Sequence, residues 1–263
     1  MILDRFRLDG RVAIVTGAGK GIGAGTARAL AEAGADVVGA ARTQEDIDAT
    51  AAAVRALGRR GLAVRCDVTR REDLEGLVAA TVAEMGRIDV LVNNAGGWMP
   101  QPFLRTSEAA FEAAYRFNVT SAFLLTRFCV PQMVETAGGG AVVNISSRAA
   151  SMVQPAFAAY GAAKAALSFL TRDLAPELAP KVRINAIEVG GVETDALASV
   201  LTDPSVRREL EGNTPMGRVG QVEDVAACVV YLASPAAAWV TGKVFEVDGG
   251  TEHPAFTVPV PPL

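Results

Sequence analysis

The chain has 263 residues, half of them hydrophobic, with 25 Lys and Arg against 29 Asp and Glu and a pI near 5.2. That balance supports a packed core and argues against a nucleic-acid or anionic-membrane partner. One histidine, His253, excludes zinc sites built on several histidines and leaves a Ser-His-Asp triad to be recruited from a tail, while Cys66, Cys129 and Cys228 fit reduced thiols in a cytoplasm rather than a disulfide framework.

The opening "MILDRFRLDGRVAIVTG" mixes charges ahead of a short apolar run and reads as neither a signal peptide nor a membrane span. Within it, 11–17 is a β run. Residues 21–34 have helical spacing, with Ile22, Thr26, Ala29, Leu30 and Ala33 on one face and Gly34 as the stop. A strand at 35–41 and a helix at 45–58 follow. The stretches 61–68, 87–94, 140–147 and 182–189 are near-continuous apolar runs, as strands covered on both faces should be. Helical segments at about 71–86, 107–135, 154–178 and 222–233 separate them, and 242–250 is the last strand. Pro176 predicts a kink or an early stop near Ala175. The alternation predicts an α/β fold: a doubly wound, mostly parallel seven-stranded sheet with helices on both faces. Residues 1–252 read as one domain, and 253–263 as a proline-rich tail outside it.

Three features carry chemistry. "TGAGKGIG" (16–23) places a G-x-x-x-G-x-G turn between the first strand and the first helix, where backbone N–H groups and the helix dipole suit a phosphate. Tyr160 and Lys164 lie four residues apart on one predicted helix face, in "AAYGAAKAAL". A cation there favours the phenolate and lowers a pKa that is otherwise near 10, which makes Tyr160 a candidate general acid/base. The competing reading is an amphipathic helix with a surface lysine. Ser147 stands thirteen residues before Tyr160 at the carboxyl end of a strand, where α/β sites lie. Alternation turns Ser146 to the other side. Asn118, in "RFNVTSAF", sits where asparagine is unfavourable and needs a reason, which a tie into its own helix would already supply.

"TGAGKGIG", "NNAG" (93–96), "NISS" (144–147), Tyr-x-x-x-Lys (160–164) and "VDGG" (247–250) together resemble the short-chain dehydrogenase/reductase family, over about Leu8 to Gly250. The resemblance implies that Ser147 bonds the substrate oxygen and that Asn118 organises a water linking Lys164 to solvent. It implies that Gly17, Gly21, Ile22 and Gly23 wrap the cofactor diphosphate, and that Asp67 and Val68 flank its adenine. Asn94, Ala95 and Gly96 would support the adenosine side and the fourth strand. Tyr160 and Lys164 would also meet the cofactor, Lys164 at the nicotinamide ribose, and Val192 and Thr194 would hold the carboxamide. The family usually has Pro-Gly where this chain has Val189-Gly190, which predicts a looser loop. Family members are mostly tetramers, so a homo-oligomer is expected.

The second strand ends "VVGAART". Ala41 holds the place of the acidic residue that selects NAD, and Arg42 follows it. Lys20 projects toward the same corner. Two cations and no carboxylate predict a 2′-phosphate site and NADP as cofactor; alternatively, Arg42 merely opens the next helix and Lys20 faces solvent. Metal ligation is not expected.

The loops 97–103, 148–157 and 193–204 supply apolar side chains: Trp98, Met99, Phe103, Met152, Val153, Phe157, Leu197, Val200 and Leu201. They suit an apolar carbonyl or alcohol substrate, unless several pack on the core or on a neighbouring subunit. The chain resembles the bacterial hydroxysteroid dehydrogenases, with 3-oxoacyl-thioester reductases nearly as close. A dinucleotide-binding regulator would be free to lose Asn118, Ser147, Tyr160 or Lys164, and all four are present. The tail, with its prolines and apolar side chains, is expected to pack on a neighbouring subunit or else to be disordered.

Overall fold

A computed structural model describes residues 1–194, 197, 202–254, 258 and 260. Seven strands form one sheet: β1 (Val12–Thr16), β2 (Asp36–Ala41), β3 (Gly61–Arg65), β4 (Val90–Asn93), β5 (Gly140–Ser147), β6 (Val182–Val189) and β7 (Val244–Val247). Their order is β3-β2-β1-β4-β5-β6-β7, and every pairing is parallel. The expected sheet is therefore present, and wholly rather than mostly parallel. From β1 the chain first moves outward to β3, then returns to β4 and runs the other way. The reversal opens a crevice beyond the carboxyl ends of β1 and β4.

The helices are α1 (Gly21–Glu32), α2 (Gln44–Ala56), α3 (Arg71–Met85), α4 (Glu108–Tyr115), α5 (Ser121–Ala137), α6 (Ala158–Leu178), α7 (Pro204–Gly212) and α8 (Val222–Ala233). They cover both sheet faces. On one, Leu30 of α1 and Val225, Val229 and Leu232 of α8 meet Val15, Val92 and Val143. On the other, Leu74 and Leu77 of α3 and Leu125 and Met133 of α5 meet Ile14, Leu91 and Ile184. Strands whose side chains are buried on both sides have no polar stripe, which is why β1 and β4 are buried at every position.

Several expectations change in detail. The buried face of α1 is Gly23, Thr26, Ala27, Leu30 and Ala31, a step round from the predicted stripe. The segment read as one helix over 107–135 is α4 and α5 joined by a single π turn, Arg116–Thr120. The helix through Pro176 does not stop at Ala175; it ends at Leu178, with Ala179 N–H donating to the Ala175 carbonyl. The proline lacks the N–H that would bond the Arg172 carbonyl, so the helix forgoes that one bond and runs on for two residues. The substrate-side loop contains α7, begun by Asp203, which caps Ser205 N–H, and by Pro204 at the first helical position.

Candidate active site

A cleft of about 840 Å³ opens at the carboxyl end of the sheet, along the β1/β4 crevice. Its floor at one end is the glycine turn. A Cβ at Gly23 would stand 2.1 Å from the Gly17 carbonyl oxygen, so only glycine lets the turn close on itself there. The N-terminus of α1 has no side-chain cap and no acidic residue in its first turn. Uncapped N–H groups and an unopposed dipole fit a diphosphate.

Asn94 holds that turn in place. Its Nδ2 donates to the Thr16 carbonyl at 2.8 Å and to the Gly17 carbonyl at 3.3 Å. The Asn94 and Ala95 N–H groups both donate to Thr16 Oγ1 at 3.0 Å. Thr16 is thus the hub that joins the ends of β1 and β4, and sequence reasoning missed it; its signal was a hydroxyl as the last residue of an otherwise apolar strand. Asp67 accepts from Thr69 N–H and Oγ, bonds that hold its carboxyl below the usual range. Asp67 and Val68 both line the cleft.

At the far corner, Ala41 ends β2, and Arg42, Thr43 and Lys20 line the cleft together. The expectation of two cations without a carboxylate needs correction. Asp46, in the first turn of α2, places Oδ2 3.6 Å from Lys20 Nζ. It was missed because it belongs to the helix rather than to the strand end.

The other end of the cleft holds the remaining residues. Asn118 is buried in the π turn, a geometry often associated with functional sites. Its Oδ1 accepts from Gly97 N–H at 2.8 Å, and its Nδ2 donates to the carbonyls of Gly97 and Ala114 at 3.1 and 2.9 Å. The tie into its own helix is real, and so is a clasp on the loop after β4. A Cβ at Gly96 would stand 2.8 Å from Asn118 Oδ1 and 2.9 Å from Lys164 Nζ, so glycine lets these groups converge.

Lys164 is buried, and its Nζ donates to the Ile145 carbonyl at 2.7 Å. The Nζ lies 5.8 Å from the centre of the Tyr160 ring. Tyr160 and Ser147 line the cleft together. The pKa expectation is overturned. Burial pushes the Tyr160 phenol above its ordinary value, with the Ser147 side chain opposing. Burial also pushes Lys164 down to about 7. Desolvation penalises both charged forms, and a lysine that readily sheds its proton is a weak promoter of phenolate.

Trp98, Met99, Met152, Phe157 and Leu197 line this end, joined by Pro100 and Leu210. Phe103 and Val153 do not line it and are largely exposed. Val200 and Leu201 lie outside the described residues, as does most of the tail. The start of the segment after β6 is tied to the sheet. β6 keeps register with both neighbours through Val189, and Gly190 N–H donates to the Val247 carbonyl at 3.0 Å. Val192 bridges to Gly220, and the Thr194 methyl lies 3.3 Å from a Cβ built on Gly21, so this segment closes over the glycine turn.

The arrangement defines a dinucleotide-binding α/β fold with an acid/base cluster beside the cofactor cleft. The chain belongs to the short-chain dehydrogenase/reductase family, whose members act on alcohol and carbonyl groups: the family described as enoyl-(acyl carrier protein) reductase matches residues 17–252. It is 47% identical over 263 residues to an uncharacterised oxidoreductase of Mycobacterium tuberculosis (strain CDC 1551 / Oshkosh), covering 100% of both chains. It is 42% identical over 253 residues to the 7α-hydroxysteroid dehydrogenase of Escherichia coli (strain K12), covering 94% of this chain and 96% of that one. A solved 7α-hydroxysteroid dehydrogenase complexed with NADH and 7-oxo-glycochenodeoxycholic acid superposes with a TM-score of 0.92 at 39% identity, covering 96% and 98% of the two chains. Among the described residues no helix is long and apolar enough to cross a membrane, and no group of three or more His, Cys, Asp or Glu could hold a metal.

Proposed function

We propose that the protein is an NADP(H)-dependent oxidoreductase that interconverts a ketone and a secondary alcohol on an apolar substrate of the hydroxysteroid kind. One observation carries this reading: Ser147, Tyr160 and Lys164 share one cleft with an apolar wall of Trp98, Met99, Met152 and Phe157 and with the glycine turn. When bound, the dinucleotide supplies or accepts the hydride. Gly17, Gly21, Ile22 and Gly23 hold its diphosphate, Lys20 and Arg42 its 2′-phosphate, and Val192 and Thr194 its carboxamide end. In reduction, Ser147 donates a hydrogen bond to the substrate oxygen and Tyr160 delivers the proton. Its phenol is kept neutral by burial, as a proton donor should be. Lys164 and Asn118 form the route by which the proton is replaced from solvent.

Family resemblance favours a tetramer, and the three free cysteines favour a reducing cytoplasm. The apolar wall favours a steroid-like ketone over an acyl thioester, because a phosphorylated carrier arm wants free cations at the mouth. Of the basic residues lining that end, Arg148 is engaged by carboxylates and Lys164 is buried against the Ile145 carbonyl. A panel of steroid ketones, 3-oxoacyl thioesters and small ketones, followed by NADPH and NADH absorbance, tests both parts. Turnover of thioesters alone would refute the substrate assignment, and a higher kcat/KM with NADH would refute the cofactor assignment.

A further inference from the structure

Arg148 follows Ser147 directly and is buried, although nothing in the proposed reaction uses it. Glu188 of β6 is buried as well. In the sheet register, Ser146, Glu188 and Glu246 stand side by side on β5, β6 and β7. Two carboxylates directly opposite one another repel. The guanidinium of Arg148 enters between them: it pairs with Glu246 and lies 3.8 Å from Glu188. Its Nε lies 2.8 Å from Asp248 Oδ2 as an ion pair without hydrogen-bond alignment. Its Nη2 donates to the Thr251 carbonyl at 3.2 Å.

Both oxygens of Glu188 are engaged. Oε2 accepts from Ser151 Oγ at 2.5 Å, and Ser151 in turn accepts from Arg148 Nη1 at 3.0 Å. Oε1 accepts from Ser168 Oγ at 2.8 Å. Ser168 is one helical turn beyond Lys164 in α6, and Ser146 Oγ lies 2.9 Å from Ser168 Oγ and 3.2 Å from the Lys164 carbonyl oxygen. One carboxylate therefore ties the residues on either side of Ser147 to the helical turn that carries Lys164. An apolar row would fill the same space without charge burial, and buried ion pairs are weak sources of net stability. What this network adds is a fixed geometry.

We propose that Glu188, charge-balanced by Arg148, is a positioning residue of the active site, holding the carboxyl end of β5 against α6 so that Ser147 and Lys164 keep their relative placement. The inference rests on the roles given above to Ser147, Tyr160 and Lys164. The test uses the full chain, its preferred dinucleotide and the ketone with the highest turnover. Glu188→Gln removes the charge, while Ser168→Ala removes the bonds of α6 to Glu188 and to Ser146 Oγ, keeps the Ser146 bond to the Lys164 carbonyl and leaves every ion pair intact. Glu188→Gln should lower kcat about tenfold or more and Ser168→Ala about threefold or more, each with the dinucleotide KM within about twofold of wild type, as for a small misplacement of reacting groups. A kcat within about twofold of wild type in Ser168→Ala overturns the inference, whether or not Glu188→Gln folds. So does a parallel decline of kcat and dinucleotide affinity, which would mark general loss of structure. Tyr160→Phe in the same series separates the two levels. If it keeps turnover, the catalytic reading fails and this inference with it. If it is inactive while both other variants are unimpaired, only the positioning role fails.

Discussion

At Tyr160 and Lys164 two effects compete, and burial wins. A charge four residues away on the helix would lower the phenol pKa, but each group is so far removed from water that its charged form is disfavoured first. Tyr160→Phe should lower turnover by on the order of 10²-fold or more while leaving dinucleotide affinity nearly unchanged, as loss of a general acid does. Steady-state rates beside a fluorescence titration with NADPH check this, and retained turnover removes Tyr160 from the mechanism. Lys164 makes a separate point about stability. Its pKa falls from an ordinary 10.5 in the unfolded chain to about 7 in the folded one. Below about 7 both states hold the proton, and the folded state bears the whole cost of burying the charge. Between about 7 and 10.5 only the unfolded chain is protonated, so this contribution rises with pH by up to about 1.4 kcal/mol per unit. Lys164→Met should therefore be more stable than wild type near pH 6, with the advantage shrinking by pH 9.5. Urea denaturation at several pH values measures it, and a pH-independent difference would mean that the folded-state pKa is not depressed.

The cofactor corner is also a matter of single residues. Arg42, Lys20 and Ala41 were legible because each departs from what an NAD site wants. Asp46 was not, because a first-turn acid on a helix is ordinary and its distance to Lys20 is a tertiary fact. Lys20 is well exposed, so its pair with Asp46 is weak and a 2′-phosphate can displace it. One charge-assisted contact is worth about 1.5–3 kcal/mol, which sets the NADPH preference on the order of 10²-fold. Arg42→Ala should erase much of it, Ala41→Asp should reverse it, and Asp46→Asn should widen it. The ratio of kcat/KM for the two dinucleotides is the measurement, and an unchanged ratio in Arg42→Ala sinks the assignment.

At the scale of elements, sequence pattern located every strand, because the strands carry mostly apolar runs between glycine and polar breaks. It failed where backbone hydrogen bonding rather than composition decides. Nothing in "AAYRFNVTSAF" distinguishes a continuous helix from one interrupted by a π turn; the interruption re-aims Asn118 so that its amide can clasp Gly97. The helix α7 carried a readable start, Asp203 before Pro204, but lies in a loop whose function drew attention to its apolar residues instead. The glycine turn was legible, and its tightest point is now specific. A methyl group at Gly23 cannot be placed 2.1 Å from the Gly17 oxygen without opening the turn that joins β1 to α1. Gly23→Ala should thus weaken dinucleotide binding more than tenfold, since the misplaced N–H groups are those that meet the diphosphate. Calorimetric titration with NADPH tests it, and wild-type affinity in this variant would relocate the diphosphate.

For the whole molecule, some large aromatic side chains stand exposed. Phe123 of α5 and Phe169 of α6 are exposed on helices that cover the same sheet face, and Phe169 is 64% exposed. Trp239, 99% exposed, lies between α8 and β7, and β7 is the last strand of the sheet among the described residues. Isolated apolar residues on a surface need no explanation, but a tryptophan exposed to 99% is a candidate for cover. The two patches sit on different parts of the fold, one on a helical layer and one at a sheet edge. A tetramer with dihedral symmetry needs two distinct self-complementary surfaces, each meeting its own copy across a twofold axis. We therefore predict a tetramer built on these two surfaces. Light scattering should give four times the 27.3 kDa chain mass. Phe123→Asp with Phe169→Asp should leave a dimer that still uses the β7 side, and adding Trp239→Ser should yield monomers. A wild-type monomer, or an unaltered mass in the triple variant, would show that neither patch is an interface.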